Sequence, residues 1–539
     1  MNESNQQIPS FNLWTEPWIT LEQMNGSLVQ RGIYETLLNA HTYIAIYDQS
    51  PLVVVGIHRL LVAILQDTLQ IQARADLEDL WEMQKFPAAD IERFGAQFAN
   101  RFDLFSEHEP FMQSADISLY SGKEDEGGSV ARLFVETPSG TETIHYHHML
   151  AEEHVFSPAT VAAALVTIPA FVTIGGPGLM ASINGTPPIY ILPGGRTLFE
   201  SLAASLITPT QQYWPHLDAP NRAWWRREAT VEKSSKFTET KAGEKGLTRA
   251  MSKQLSQVSY LHGLTFPARR IRLYPTRVNT NCTRSGQFTE WGVRRMVFEM
   301  GESKFDDVEW IDPFVAYRLP KSESRSSPLP ICPSTTGKAI WREFTSLFLQ
   351  EEQGSTLRPR ILNQFTTLDV GNSQSIIPVR CISFNTENMK YLEWSDFGFD
   401  VPLNVLREID AATIIKNALK FSEECAEVIS KKFRIFFCKT KGKSERNSRL
   451  KERMVEEYWS TLGVTFRKFI IYLGDSTTRR TEFLNWLENV VDVAEDVFRR
   501  ATEAVGGDGI TLRKRVESQN ECFHELIKKH NRAQKTKKE

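Results

Sequence analysis

The residues of this chain best suited to acid, base or metal chemistry are His145, His147, His148 and His154, in the stretch IHYHHMLAEEH. With Glu152 and Glu153 beside them they offer nitrogen and oxygen donors of the kind that hold Zn²⁺ or Mn²⁺. A metal-dependent nucleic-acid hydrolase would be the chemistry of such a centre. The spacing fits no standard zinc or two-metal pattern, however, and a polar turn leading into a helix capped by Ser157 is the better reading. Asp306, Asp307 and Glu309 form an acidic run after Lys304 and read as a solvated loop. GxxxxGK[ST], HExxH and GxSxG motifs are absent, as is GxGxxG between a strand and a helix. No catalytic residue, metal or cofactor is therefore expected.

Contact chemistry is better represented. The stretch Phe171 to Pro188, FVTIGGPGLMASINGTPP, breaks an apolar run with Gly175, Gly176 and Gly178 and continues through Asn184-Gly185. Glycines lack Cβ, so such a loop brings bare main chain close to a ligand. It contains no Lys, His, Asp, Glu or Cys. Recognition by shape and main-chain amides follows, with a plain glycine-rich connection as the bland alternative. Arg222-Ala-Trp-Trp-Arg226-Arg227 mixes cations and aromatics, suited either to stacking on bases or to a core-anchoring Trp pair. Arg269, Arg270 and Arg272 in FPARRIRLYP read as a phosphate rail or as the guard of an edge strand. From Lys431 to Arg453 ten Lys or Arg stand against Glu445 and Glu452, a net of +8 in 23 residues. Such a cluster reads either as a solvated loop or as a surface that tracks phosphates, although the whole chain carries only −3.

These segments need elements to hold them. Ser50–Gln72 and Pro158–Ile168 are predicted helices, with Ser50 and Ser157 as caps and Pro51 in a first turn. Val379–Trp394 reads as a β-hairpin around an Asn385-Thr386-Glu387-Asn388 tip. Near Pro402 the pattern changes. Leu406–Ser430, Arg446–Leu473, Thr481–Ala504 and Leu512–Lys537 carry apolar residues at helical spacing, the signature of an antiparallel four-helix bundle. Trp459, Phe466, Phe483, Trp486, Val490, Phe498 and Phe523 are its expected core. The fold class is α+β: a large mixed domain over residues 1–400, then the bundle over 401–539. Six scattered cysteines without a CxxC pair read as reduced thiols. With no apolar run of 18 residues and no signal-peptide pattern, a cytoplasmic protein without membrane contact is expected.

In order and spacing the chain resembles the large subunit of the type I-E CRISPR Cascade complex, the CasA family. The resemblance runs from FNLWTEPWITL (11–21) and RFDLFSEHEPFMQ (101–113) through FSPATVAAAL, the glycine loop, LFESL and FPARRIRL. It continues with WIDPFVAYR (310–318), the LNQF run and the helical C-terminal region. It implies a non-catalytic subunit of a crRNA-guided surveillance complex. Such a subunit recognises the protospacer-adjacent motif (PAM) on double-stranded DNA, helps open the duplex for R-loop formation, and docks a helicase-nuclease. The implied partners are other Cascade subunits, crRNA, target DNA and that effector. The family's glycine loop falls on Thr173, Ile174, Gly175 and Gly176, with Thr173 where the first glycine usually stands. Its lysine finger falls on Lys304, and its wedge hairpin on Asn385–Met389, which carries Glu387 and Asn388 and no Gln. The loop that engages the 5′ handle of the crRNA is matched by Phe134 and Val135. Relatives with cysteine pairs hold zinc; Cys282 stands alone here, so no structural zinc is expected. A purely structural scaffold is the remaining alternative.

Overall fold

The computed structural model describes residues 9–119, 127–136, 153–173, 181–212, 221–231, 235–238, 248–251, 254–255, 258–304, 310–320, 327–334, 339–349, 355–370, 375–387, 390–440, 445–505 and 509–535. The chain divides into two compact units. One comprises Met1–Thr336, Gln353–Val370 and Val379–Gly398; the other comprises Gly337–Glu352, Gly371–Pro378 and Phe399–Glu539.

The first unit is organised around the helix Pro51–Leu69. Its sequence, PLVVVGIHRLLVAILQDTL, is apolar on every side, so it belongs inside a protein. By length and composition it could cross a bilayer, yet 94% of the stretch is buried within the protein. Each buried Leu, Val or Ile contributes roughly 1.5–3 kcal/mol of transfer free energy. Most of its buried polar side chains are matched, as burial demands, although among the described residues the Thr68 hydroxyl finds no partner. His58 Nε2 meets Ser205 Oγ at 2.8 Å, and Gln66 exchanges two hydrogen bonds with the Ile207 main chain. Arg59 pairs with Asp312, and Asp67 accepts from Trp225 and Arg226. Burial, reinforced by Arg380 and Arg59, pushes His58 down to about 3, so it stays neutral. Ser50 stands at the cap position but its hydroxyl makes no capping bond. Asp48 instead takes the Ser50 N–H, and Pro51 leaves no N–H at the first helical residue.

Ser157 does cap its helix, Pro158–Leu165, by accepting from the Thr160 N–H at 3.3 Å. Ser157→Ala should cost about 1 kcal/mol, read as a lower urea midpoint with unchanged slope. An unchanged midpoint would show the cap to be idle.

A two-stranded ribbon, Arg269–Asn281 with Phe288–Met300, pairs over its whole length and takes Gly128–Ser129 at one edge. Strands Ile376–Glu387 and Lys390–Pro402 lie side by side, with Tyr190–Pro193 antiparallel on the first of them.

In the second unit helices Ile409–Thr440, Glu445–Tyr472, Arg479–Glu503 and Gly509–Lys535 pack on one another. Trp459, Phe466, Trp486, Val490 and Phe498 are buried as expected. Phe483 and Phe523 are only half-buried. They flank the inward rows: Trp486, Leu487 and Val490 point inward on one helix, Cys522 and Leu526 on the other. Trp341, from a segment sequence-distant from the helices, packs tilted against Trp459 and Phe466, with ring centres 5.6 and 4.8 Å apart. Gly463 makes room for it: a Cβ there would stand 2.8 Å from Trp341 Nε1.

Candidate nucleic-acid interface

The glycine loop leaves and returns at one point. Ser182 donates its N–H to the Val172 carbonyl at 2.9 Å, and its hydroxyl reaches the Pro169 carbonyl. Gly185, at φ +74°, closes a turn onto Ser182, a conformation that favours glycine. Asn184 donates from Nδ2 to Asp312 at 2.9 Å and reaches the Tyr190 hydroxyl at 3.1 Å. Asp312 in turn binds the buried Arg59, so the exit of the loop is tied to the central helix. Ile174, Gly175 and Gly176 lie outside the described residues.

The entrance is held by an arginine. Thr173 O accepts from Arg269 Nη2 at 2.7 Å. Arg269 is 1% exposed, and burial, with Arg132 nearby, pushes its guanidinium down to about 10. Among the described residues no carboxylate pairs with it, so two main-chain carbonyls, Thr173 O of the loop and Ala268 O, carry its compensation.

Arg269 also leads to Lys304. It faces Met300 across the ribbon, where Gly301 N–H donates to Ala268 O at 3.2 Å and Glu302 N–H to Pro267 O at 3.0 Å. A Cβ on Gly301 would lie 2.2 Å from Pro267 O, so this close approach requires glycine. Ser303-Lys304 then pairs in parallel with Gln254-Leu255, and Lys304 is half-buried. Asp306, Asp307 and Glu309 lie outside the described residues.

The hairpin also touches the loop base. Phe384 meets Phe171 edge-on at 6.3 Å, two residues before Thr173. The expected four-residue tip is shorter: Asn385, Thr386 and Glu387 belong to the strand, and Asn388 lies outside the described residues. Asn385 is buried, with its amide 3.5 Å from the Ser334 carbonyl, and Thr386 is half-buried. Continued β-pairing carries the chain past the polar residues that suggested a turn.

Phe134 is core: its ring meets Phe156 edge-on at 5.4 Å and lies 3.9 Å beneath the Arg284 guanidinium. Val135 is half-buried. The Trp224–Trp225 pair is also core, at 1% and 2% exposed. Arg269, Arg270 and Arg272 are buried, which corrects both the phosphate-rail and edge-guard readings. Arg270 pairs with Asp116 and Glu299, and Arg272 donates to the Ser106 and Glu107 carbonyls. His145, His147 and His148 lie outside the described residues, and His154 is buried. Among the described residues no three His, Cys, Asp or Glu gather as a metal site.

Residues 12–497 match the family described as CRISPR-associated protein Cse1. The chain belongs to the Cse1 family, the CasA-type large subunits of type I-E Cascade. It is 27% identical over 429 residues to the CRISPR-associated protein CasA/Cse1 of Thermus thermophilus, covering 78% of this chain and 76% of that one. The fold is similar to the crystal structure of Thermobifida fusca Cse1, with a TM-score of 0.77 at 21% identity over 97% of this chain and 98% of that one. A chain of a CRISPR RNA-guided surveillance complex aligns with a TM-score of 0.71 at 16% identity, covering 96% of this chain and all of that one. As a Cse1-family member the protein is a Cascade subunit, mixed α+β in architecture with a C-terminal helical region. Sequence reasoning missed what joins its site: the Arg269–Thr173 bond, the Arg59–Asp312–Asn184 chain and the buried Glu302. Arg269, Thr173 and Asn184 stood out singly, without their partners, and Glu302, two residues before Lys304 in MGESKF, lay close enough to be noticed.

Proposed function

We propose that this Cse1-family chain reads the PAM on double-stranded DNA without performing catalysis. The carrying observation is that the glycine-loop base, the Lys304 strand and the hairpin are joined through Arg269 and through the Phe171–Phe384 contact. In this reading the loop main chain and Lys304 meet the minor groove, where A·T and T·A present the same acceptors and G·C adds an amino donor. Such a reader discriminates loosely and accepts several motifs. The hairpin tip, around Glu387 and Asn388, offsets a few kcal/mol of unstacking at the first target step. Guide RNA then nucleates pairing in the seed and supplies the sequence identity.

The C-terminal helices act as an antiparallel four-helix bundle whose basic Lys431–Arg453 stretch guides DNA along its phosphates. Beyond target DNA, the partners are the other Cascade subunits, the crRNA and the helicase-nuclease, all in the cytoplasm. Because the Phe134 ring is spent on Phe156 and Arg284, Val135 and its neighbours are left to contact the crRNA handle.

Lys304→Ala combined with substitutions at Gly175 and Gly176 should weaken binding of the assembled complex to PAM-bearing duplex by tenfold or more, about 1.4 kcal/mol. Assembly should be intact. A gel-shift series with unchanged affinity would sink the reading.

A further inference from the structure

The central helix carries two buried anchors about two turns apart, Arg59 and Asp67. Arg59 reaches the glycine-loop exit through Asp312 and Asn184. Asp67 leads elsewhere. It accepts from Trp225 Nε1 at 2.7 Å and from Arg226 Nε at 2.7 Å, which locks the turn Trp224–Arg226. The next residue, Arg227, has its own carbonyl held by Arg101 and its guanidinium on Glu302. His262 Nε2 lies 2.8 Å from the other Glu302 oxygen, and Arg227 Nη1 lies 2.9 Å from the same nitrogen.

We infer that Glu302, clasped by Arg227 and His262, is a positioning residue that fixes Lys304 relative to the glycine loop. The inference rests on the PAM-reading function proposed above. Glu302 and Lys304 are separated by one residue, so their Cα atoms are at most about 7 Å apart. The Glu302 side chain is 8% exposed, and those of His262 and Arg227 are 12% and 19% exposed. Burial acts to raise the Glu302 carboxyl, but His262 and Arg227 outweigh it and hold it below the usual carboxylate range. A carboxylate so paired is costly to displace, because moving it uncovers buried charge on both sides. The backbone is pinned at the same place by the Gly301 and Glu302 N–H groups on Ala268 and Pro267. Ala268 is followed by Arg269, which grips Thr173. Lys304 and both ends of the loop are thereby referred to one frame.

The test uses the assembled crRNA-containing complex with Glu302→Gln, Arg227→Lys or Lys304→Ala. Three DNAs are compared: a duplex bearing the PAM that the wild type selects from a randomised pool, a duplex with that PAM scrambled, and a target pre-opened by mismatches. Glu302→Gln and Arg227→Lys should each lower the ratio of affinities for the first two DNAs about tenfold, as loss of a base-reading contact does. Binding to the pre-opened target should stay at the wild-type level. Equal loss on all three DNAs would overturn the inference, since it marks a merely structural role. An unchanged ratio in both variants, with Lys304→Ala lowering it, overturns the positioning role alone. An unchanged ratio in Lys304→Ala overturns the PAM-reading function beneath it. If Glu302→Gln does not assemble, Arg227→Lys, which keeps the charge but loses the fork, decides.

Discussion

Asp312→Ala should destabilise the protein by about 3–5 kcal/mol, the range for stranding a buried charge. Arg59 is 2% exposed and gives Nη1 to both Asp312 oxygens, at 2.7 and 2.6 Å. Its guanidinium lies 5.1 Å from the Tyr190 ring centre and 5.5 Å from that of Phe314, so no water replaces the carboxylate easily. The same carboxylate accepts from Asn184 Nδ2 and the Phe314 N–H, and these donors would be left unpaired as well. Urea unfolding followed by tryptophan fluorescence is the direct measure. The double variant Arg59→Met with Asp312→Leu should recover much of the loss, because it removes both charges. A midpoint unchanged in Asp312→Ala would mean that the pair contributes nothing to the folded state.

The second large effect is expected at Gly301. An alanine Cβ there would stand 2.2 Å from Pro267 O and 2.6 Å from Arg269 N, both main-chain atoms that no rotamer change can clear. The ribbon end must part, at about 1–3 kcal/mol or more for such overpacking. The Gly301 and Glu302 N–H bonds go with it, so Lys304 loses its reference to Arg269 and Thr173. Gly301→Ala should therefore lower both the unfolding midpoint and the affinity for PAM-bearing duplex, the latter about tenfold. Gly398→Ala is the matched control, since a Cβ at Gly398 meets nothing within 4 Å. Equal behaviour of the two variants would refute the argument.

The central helix, the Ser157 cap, the paired strands of the hairpin and the long C-terminal helices were legible because each is written in local periodicity and capping chemistry. Residue types around the site misled in one consistent way. Arg269, Arg270 and Arg272 look like a surface rail, and Phe134 like a contact residue, yet all four are buried. Charge suggests solvent until a partner is known, and those partners lie far along the chain: Asp116 for Arg270, Thr173 for Arg269 and Ser106 for Arg272. The hairpin tip was misjudged by about three residues because Asn and Thr favour turns only when no strand neighbour holds them.

The order of motifs along the chain was enough to identify the family, since a series of short matches in register is improbable by chance even where each is weak. The sequence alone also marked Gly175, Gly176 and Lys304 as separate features about 130 residues apart. Only the tertiary structure brought the base of that loop beside the strand that carries Lys304, through one arginine on a carbonyl and one glycine with no room for a side chain. Contacts of that kind depend on which distant atoms fill the space around a residue. Local spacing records the shape of one element, and the choice of neighbour is made when elements pack and most buried polar groups find partners.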